Sequence, residues 1–171
     1  GLRGAAQLLE RNDLPRNIAV APDNVVTMVF PSAGNEGAIG LDYAANAEQW
    51  PSIAKMMQDQ RMVVAGPVAL VQGGVGVIGR APIYVRAPGR ELRYWGLTST
   101  VIELARLLDR AGVAEVAAGH DLALRGVDGR AAEGAVFWGD PALFAADPLT
   151  FDVPLPSGSW QLAVAPRGGW R

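Results

Sequence analysis

"GGVGVIGRAPIYV" occupies residues 73–85, and the path of its backbone decides the fold. Within it, Gly74-Val75-Gly76-Val77-Ile78-Gly79 has the glycine spacing of a dinucleotide-binding turn. That fingerprint works when a strand enters a tight turn and then a helix whose first N–H groups hold a pyrophosphate. Here Arg80-Ala81-Pro82 follows the last glycine. Pro82 disfavours helix at Ala81 and cannot itself sit inside one. Ile83-Tyr84-Val85 is β-rich, and no acidic residue ends a second parallel strand at the required distance. The glycines are therefore expected in a hairpin turn and at a close backbone approach over a sheet. A nucleotide-cofactor enzyme is the third reading of the chain, and no cofactor is expected.

Outward from this stretch, Val63 to Ala65 and Val68 to Gln72 lie before it. Ala81 to Val85, a Pro-Gly turn and Leu92 to Leu97 complete it. The connections are too short for crossover helices, which predicts an antiparallel meander. Upstream, strands are expected at Ile18 to Ala21, Val25 to Phe30 and Ala38 to Leu41. Asn46 precedes a helix in which Trp50, Ile53, Ala54 and Met57 recur at helical spacing to about Gln60. Residues 2–10 read as the end of a helix, broken by Arg11 to Arg16. Downstream, Thr100-Val-Ile-Glu103 reads as a capping box opening a helix that Gly112 closes. A smaller set of strands follows: Leu122 to Val127, Ala135 to Trp138, and a hairpin from Phe151 to Ala165, with a short helix started by Asp140-Pro141. The fold class is α+β, with two antiparallel sheets joined by the helix near 100–111.

Half of the 171 residues are apolar, enough for one domain or two small lobes. A net charge of −2 and a charged fraction of 19% argue against a nucleic-acid surface. Arg86, Arg90 and Arg93 flank the Pro-Gly turn and read as a solvated hairpin tip. Cysteine is absent, which excludes disulfides, thiolate catalysis and Cys-based zinc sites. With a single histidine, no metal site is expected. His120 reads as a loop or capping residue. Although a serine triad with Ser99 is conceivable, no nucleophile-elbow motif accompanies it. Asp140, Asp147 and Asp152 suit turn and cap roles, so no catalytic set is expected. Asp42 ends the run Ala38-Ile-Gly-Leu41 and leaves two readings open, a solvated strand-end carboxylate or a polar anchor in an apolar pocket.

Taken together, "FPSAGNEGAIGLDY", "VVAGPVALVQGGVGVIGRAPIYV", "YWGLTSTVIELARLLDRAGV" and "VFWGDPALFAADPLTFDVPLPSGSWQLAVAP" resemble the CHASE domain over about residues 17–170. The resemblance implies an extracytoplasmic sensor module of a membrane receptor, periplasmic or extracellular. It implies two PAS-like lobes, each an antiparallel sheet with flanking helices, on an N-terminal stalk helix. Transmembrane helices outside this chain would flank it, and a cytoplasmic diguanylate cyclase or histidine kinase would form the output. On that basis residues 1–16 end the stalk, 17–98 form a membrane-distal lobe, 99–112 a connecting helix and 113–171 a membrane-proximal lobe. The short stalk suggests residues missing near 9–15.

By motif, the ligand-anchoring aspartate of plant cytokinin receptors falls on Asp42, the pocket wall on Leu70 and Gln72, the aromatic-Pro-x-Tyr strand on Ala81 and Tyr84, and a glycine on Gly96. Ala81 stands where those receptors place an aromatic, so a purine loses a stacking wall. Arg80 adjoins it. If its side chain enters the pocket, an acidic ligand or a pairing with Asp42 becomes possible. The expected partner is a small-molecule ligand of unknown identity, with a homodimer as the assembly. The alternative is a ligand-free dimerisation module associating through Leu2, Leu8 and Leu9, its distal cavity filled by its own side chains.

Overall fold

The structure, a computed structural model, describes residues 12–70 and 73–170. The expected stalk helix, Leu2, Leu8, Leu9 and Gln72 fall outside the described residues. The chain divides into two compact units, the first ending at Glu103 and the second beginning at Leu104.

In the first unit, strands β1 (Pro15–Pro22), β2 (Met28–Phe30), β3 (Val63–Ala69), β4 (Val75–Arg86) and β5 (Leu92–Glu103) form an antiparallel sheet in the order β2-β1-β5-β4-β3. The decisive stretch is extended: Gly79 pairs with Val64 on one side and Thr100 on the other, and Arg80 continues the ladder. Gly73 and Gly74 supply the turn, with φ of 91° and 82°, values that side chains resist. Gly76 and Gly79 give up side-chain volume to their neighbours. A Cβ at Gly76 would lie 2.8 Å from the Leu70 side chain, and one at Gly79 2.6 Å from Met62.

Helix α1 (Trp50–Asp59) lies on one face of this sheet. It begins as the sequence predicts, with Pro51 in the first turn and Asn46 Oδ1 accepting the Gln49 N–H at 3.0 Å. Its Ile53 and Met56 are fully buried against Ala19, Ala21, Val63 and Leu97. Each such burial stabilises by about 1.5–3 kcal/mol.

Two expectations fail in this unit. Ala38 to Leu41 is not a strand: a 3-10 turn spans Glu36–Ala38, and Gly40 at φ 85° bends the chain. The segment still meets the connection between β1 and β2 through Gly40 N–H to Val26 O and Val26 N–H to Leu41 O. Nor does the Thr100 box cap a helix, because β5 runs on to Glu103 against β4. The β-branched Thr98, Thr100, Val101 and Ile102 favour the ladder.

The second unit opens with α2 (Leu104–Arg110) and α3 (Val113–Ala117). Its sheet is ordered β7-β6-β9-β8, from β6 (His120–Arg125), β7 (Val136–Gly139), β8 (Leu149–Pro154) and β9 (Ser159–Pro166). Ala123, Ala163 and Ala165 cover one face with Leu143. Leu143 lies in the 3-10 turn Pro141–Ala145, which Asp140 caps by accepting the Ala142 N–H at 2.9 Å.

Candidate ligand-binding site

Alternation along β4 sends Ile78 and Arg80 to the face that α1 covers, and Gly79 and Ala81 to the other. Arg80 stands opposite Val63 on β3 and Ser99 on β5, near the middle of the sheet. It is 1% exposed. Its guanidinium bridges to the start of α1, where Nη1 donates to Ser52 Oγ at 2.7 Å and Nη2 to Gln49 Oε1 at 2.5 Å. Ser52 Oγ in turn donates to the Gln49 carbonyl at 2.9 Å, so the hydroxyl is oriented to accept from the arginine. The guanidinium carbon lies 5.3 Å from the centre of the Tyr43 ring, a cation–π distance. Tyr43 Oη meets Ser99 Oγ at 3.1 Å. Tyr43, Gln49 and Ser99 are buried and Ser52 half-buried.

Taking a guanidinium out of water costs several kcal/mol unless the site returns hydrogen bonds and charge interactions. Among the described residues, Ser52 and Gln49 return oxygens to the guanidinium and Tyr43 a ring face. The same donors that hold these oxygens are spaced to accept a carboxylate, which takes two parallel N–H bonds from a guanidinium fork.

The other residues singled out in the sequence are dispersed. Asp42 is exposed, and its Oδ1 accepts the Ala44 N–H at 2.9 Å as the cap of the 3-10 turn Tyr43–Ala45. Leu70 is buried with Ile78 and Val101 on the α1 face, farther along the sheet. Tyr84 meets Tyr94 edge-on, with centroids 5.9 Å apart, and Tyr94 Oη donates to Asn24 Oδ1 at 2.6 Å. Burial pushes the Tyr94 hydroxyl up to about 12, with the neighbouring Tyr84 and Asp23 adding to it. At Gly96, a Cβ would collide with the Ala21 carbonyl oxygen and lie 2.7 Å from Pro22 Cα, so close packing of β1 on β5 accounts for this glycine. His120 is exposed, its Nδ1 3.3 Å from the Val116 carbonyl.

Tyr43, Gln49, Ser52 and Ser99 were not picked out as one site by sequence. The signal was present in α1: Gln49, Ser52, Ile53 and Met56 share one helical stripe at i, i+3, i+4 and i+7, so two polar residues sit where a purely structural face would be apolar.

A second buried polar group lies at the end of β1. Asn35 Oδ1 accepts from Asn17 Nδ2 at 2.8 Å and Arg16 Nε at 3.2 Å, and Asn35 Nδ2 donates to the Pro31 carbonyl at 3.0 Å. Arg16 also donates to Gly73 O at 2.7 Å and pairs with Glu103 at 3.1 Å, tying the glycine turn to β1 and β5.

Two antiparallel sheets, the first with a helix-covered polar cluster, give an α+β fold of the PAS-like class. The CHASE domain profile matches residues 5–138, and the chain belongs to the CHASE domain family, extracytoplasmic ligand-binding sensor modules of membrane receptors. Among solved structures, an extracellular ligand binding receptor from Desulfohalobium retbaense matches with a TM-score of 0.63 at 16% identity. The match covers 96% of this chain, which spans about a third (33%) of that receptor. The ligand-binding domain of the Pseudomonas aeruginosa PAO1 amino acid chemoreceptor PctC, in complex with GABA, matches with a TM-score of 0.52 at 13% identity, covering 93% of this chain and 78% of that one. The sensor domain of the V. cholerae histidine kinase DctB gives 0.56 at 12% identity, covering 95% and 75%. At these identities the likeness is one of fold. Compared with curated proteins, the chain has no significant sequence match. No helix among the described residues is long and apolar enough to cross a membrane.

Proposed function

We propose that the first unit is the membrane-distal, ligand-sensing lobe of a transmembrane receptor and that Arg80 anchors a small ligand carrying a carboxylate. The observation that carries this reading is a 1%-exposed arginine at the centre of the sheet, aimed at the first turn of a helix. An incoming carboxylate takes the N–H groups now held by Gln49 and Ser52, and so frees the start of α1. Occupancy then biases two arrangements of that helix, which is how a ligand with unequal affinity for two states shifts their populations. GABA, bound by the chemoreceptor domain of like fold, is a molecule of this chemical class. Leu70 supplies an apolar wall on the same face. In this reading Asp42, Gln72, Ala81, Tyr84 and Gly96 are not the anchor, and Ala81 lies on the other face of the sheet.

The second unit is then the membrane-proximal lobe of a periplasmic or extracellular sensor, joined through flanking membrane helices to a cytoplasmic cyclase or kinase and working as a homodimer. A second reading has one observation in its favour: Arg80, Tyr43 and Gln49 themselves occupy the space between α1 and the sheet, as a ligand-free interaction module requires. Calorimetric titration of the chain with acetate, 4-aminobutyrate and glutarate, each beside its amide, separates the two. Binding of a carboxylate but not its amide supports the sensor anchor; no binding of any carboxylate supports the interaction module.

A further inference from the structure

We propose that the open edge of β4, at the end of the β4–β5 hairpin, docks an extended acidic segment of another protein, which joins the sheet as a further strand. The register leaves this edge open. β3 begins at Val63 opposite Arg80, so residues 81–86 have β5 on one side and no strand on the other. On the other flank β1 ends at Pro22 opposite Gly96, and the hairpin therefore runs past both of its neighbours. Pro82 has no N–H to give to a ladder and is tolerated on such an edge. The outward N–H and C=O groups of an open edge are a template for another strand, and extended peptides dock by bonding to them.

The chemistry of the partner follows from the side chains around that edge. Arg86, Arg90 and Arg93 are exposed, and none has a side-chain hydrogen bond or ion pair among the described residues. With Glu91 the one acid among them, the tip is net positive in a chain of net charge −2. Val85 pairs with Arg93, and Arg86 with Leu92, so each face of the hairpin end sets an arginine beside an apolar side chain. Val85 is 38% and Leu92 56% exposed. A strand of alternating acidic and apolar residues laid along β4 finds opposite charge and apolar contact across the pairing. A second copy of the hairpin carries the same positive surplus, which opposes pairing with itself. Three arginines, at about 1 kcal/mol apiece, hold a lipid surface weakly, whereas a peptide adds the hydrogen bonds of the ladder.

The test titrates the end-blocked peptide Glu-Val-Glu-Val-Glu-Val, and beside it Lys-Val-Lys-Val-Lys-Val, into the whole chain and its Arg86→Glu/Arg93→Glu variant, with amide exchange followed by NMR. Both substituted positions are exposed, so the reversal leaves the buried core and Arg80 in place, and a loss it causes is separate from any carboxylate held at Arg80. The wild type should bind the glutamate peptide and not the lysine one, and the outward amides within residues 83–86 should exchange more slowly in the complex. The reversed variant should bind the glutamate peptide at least about tenfold more weakly, the worth of two exposed charge pairs turned repulsive, and should accept the lysine peptide. The proposal is overturned if the folded wild type does not bind the glutamate peptide, if the complex leaves those amides exchanging as before, or if the reversed variant binds it equally. Binding to phosphatidylglycerol vesicles but not to the peptide would also overturn it, and would make the tip a membrane contact.

Discussion

Arg80 Nη2 donates to Gln49 Oε1 at 2.5 Å across the gap between β4 and α1. The contact ties the centre of the sheet to the turn that starts the covering helix. In the proposed reading, a carboxylate that competes for this N–H would act on the helix directly. Neighbouring contacts make distinct demands on stability, and each can be measured apart from ligand binding.

Gly96→Ala should destabilise the first unit by about 2–3 kcal/mol, because the added methyl drives β5 away from Ala21 and Pro22. Thermal unfolding reads this as a fall of roughly 10–20 °C, at about 4–8 °C per kcal/mol for a unit of this size. An unchanged melting temperature would mean that the two strands do not approach as closely as described.

Tyr94 sets a pH dependence at the alkaline end. Its folded pKa is raised to about 12 from an ordinary value of 10.0. The stability it contributes is fully present below pH 10 and is lost as pH rises from there through about 12, since the unfolded chain releases its proton first. Tyr94→Phe, which also gives up the hydrogen bond to Asn24, should be less stable at pH 8 yet lose less stability between pH 10 and 12. Urea midpoints at these pH values show whether the two curves converge.

Asn35 holds the loop after β2 onto β1. Asn35→Ala leaves the buried Asn17 amide and the Pro31 carbonyl without this partner, which costs about 1–3 kcal/mol. A lower urea midpoint with an unchanged slope is expected, together with faster amide exchange at Ala38 and Leu41, whose N–H groups bond within that loop.

Much of the fold was legible because local chemistry and tertiary packing agreed. Pro82 after Gly79 ruled out the dinucleotide helix, and the Asn46 cap with the Ile53 stripe marked α1. Reading failed where they disagreed. At Thr100 a good capping box lost to β-branched pairing with β4, and at Ala38 to Leu41 an apolar run was bent by Gly40 and held by backbone bonds to Val26. The site was half legible. Alternation could assign Arg80 to a face, yet which face faced α1 depended on the register with β3 and β5, which no local pattern carries. Gln49 and Ser52 therefore surfaced only when helix and sheet were placed together.

The most direct measurement is calorimetric titration of the tightest-binding carboxylate of the panel into the wild type, Arg80→Gln, Arg80→Lys and Asp42→Ala. The account predicts at least about a tenfold loss in Arg80→Gln, since a charge-assisted pair is worth more than about 1.4 kcal/mol. Arg80→Lys should recover only part of it, because the ammonium lacks the planar fork, and Asp42→Ala should bind as the wild type does. Equal affinity in the wild type and folded Arg80→Gln, or a loss confined to Asp42→Ala, would contradict it.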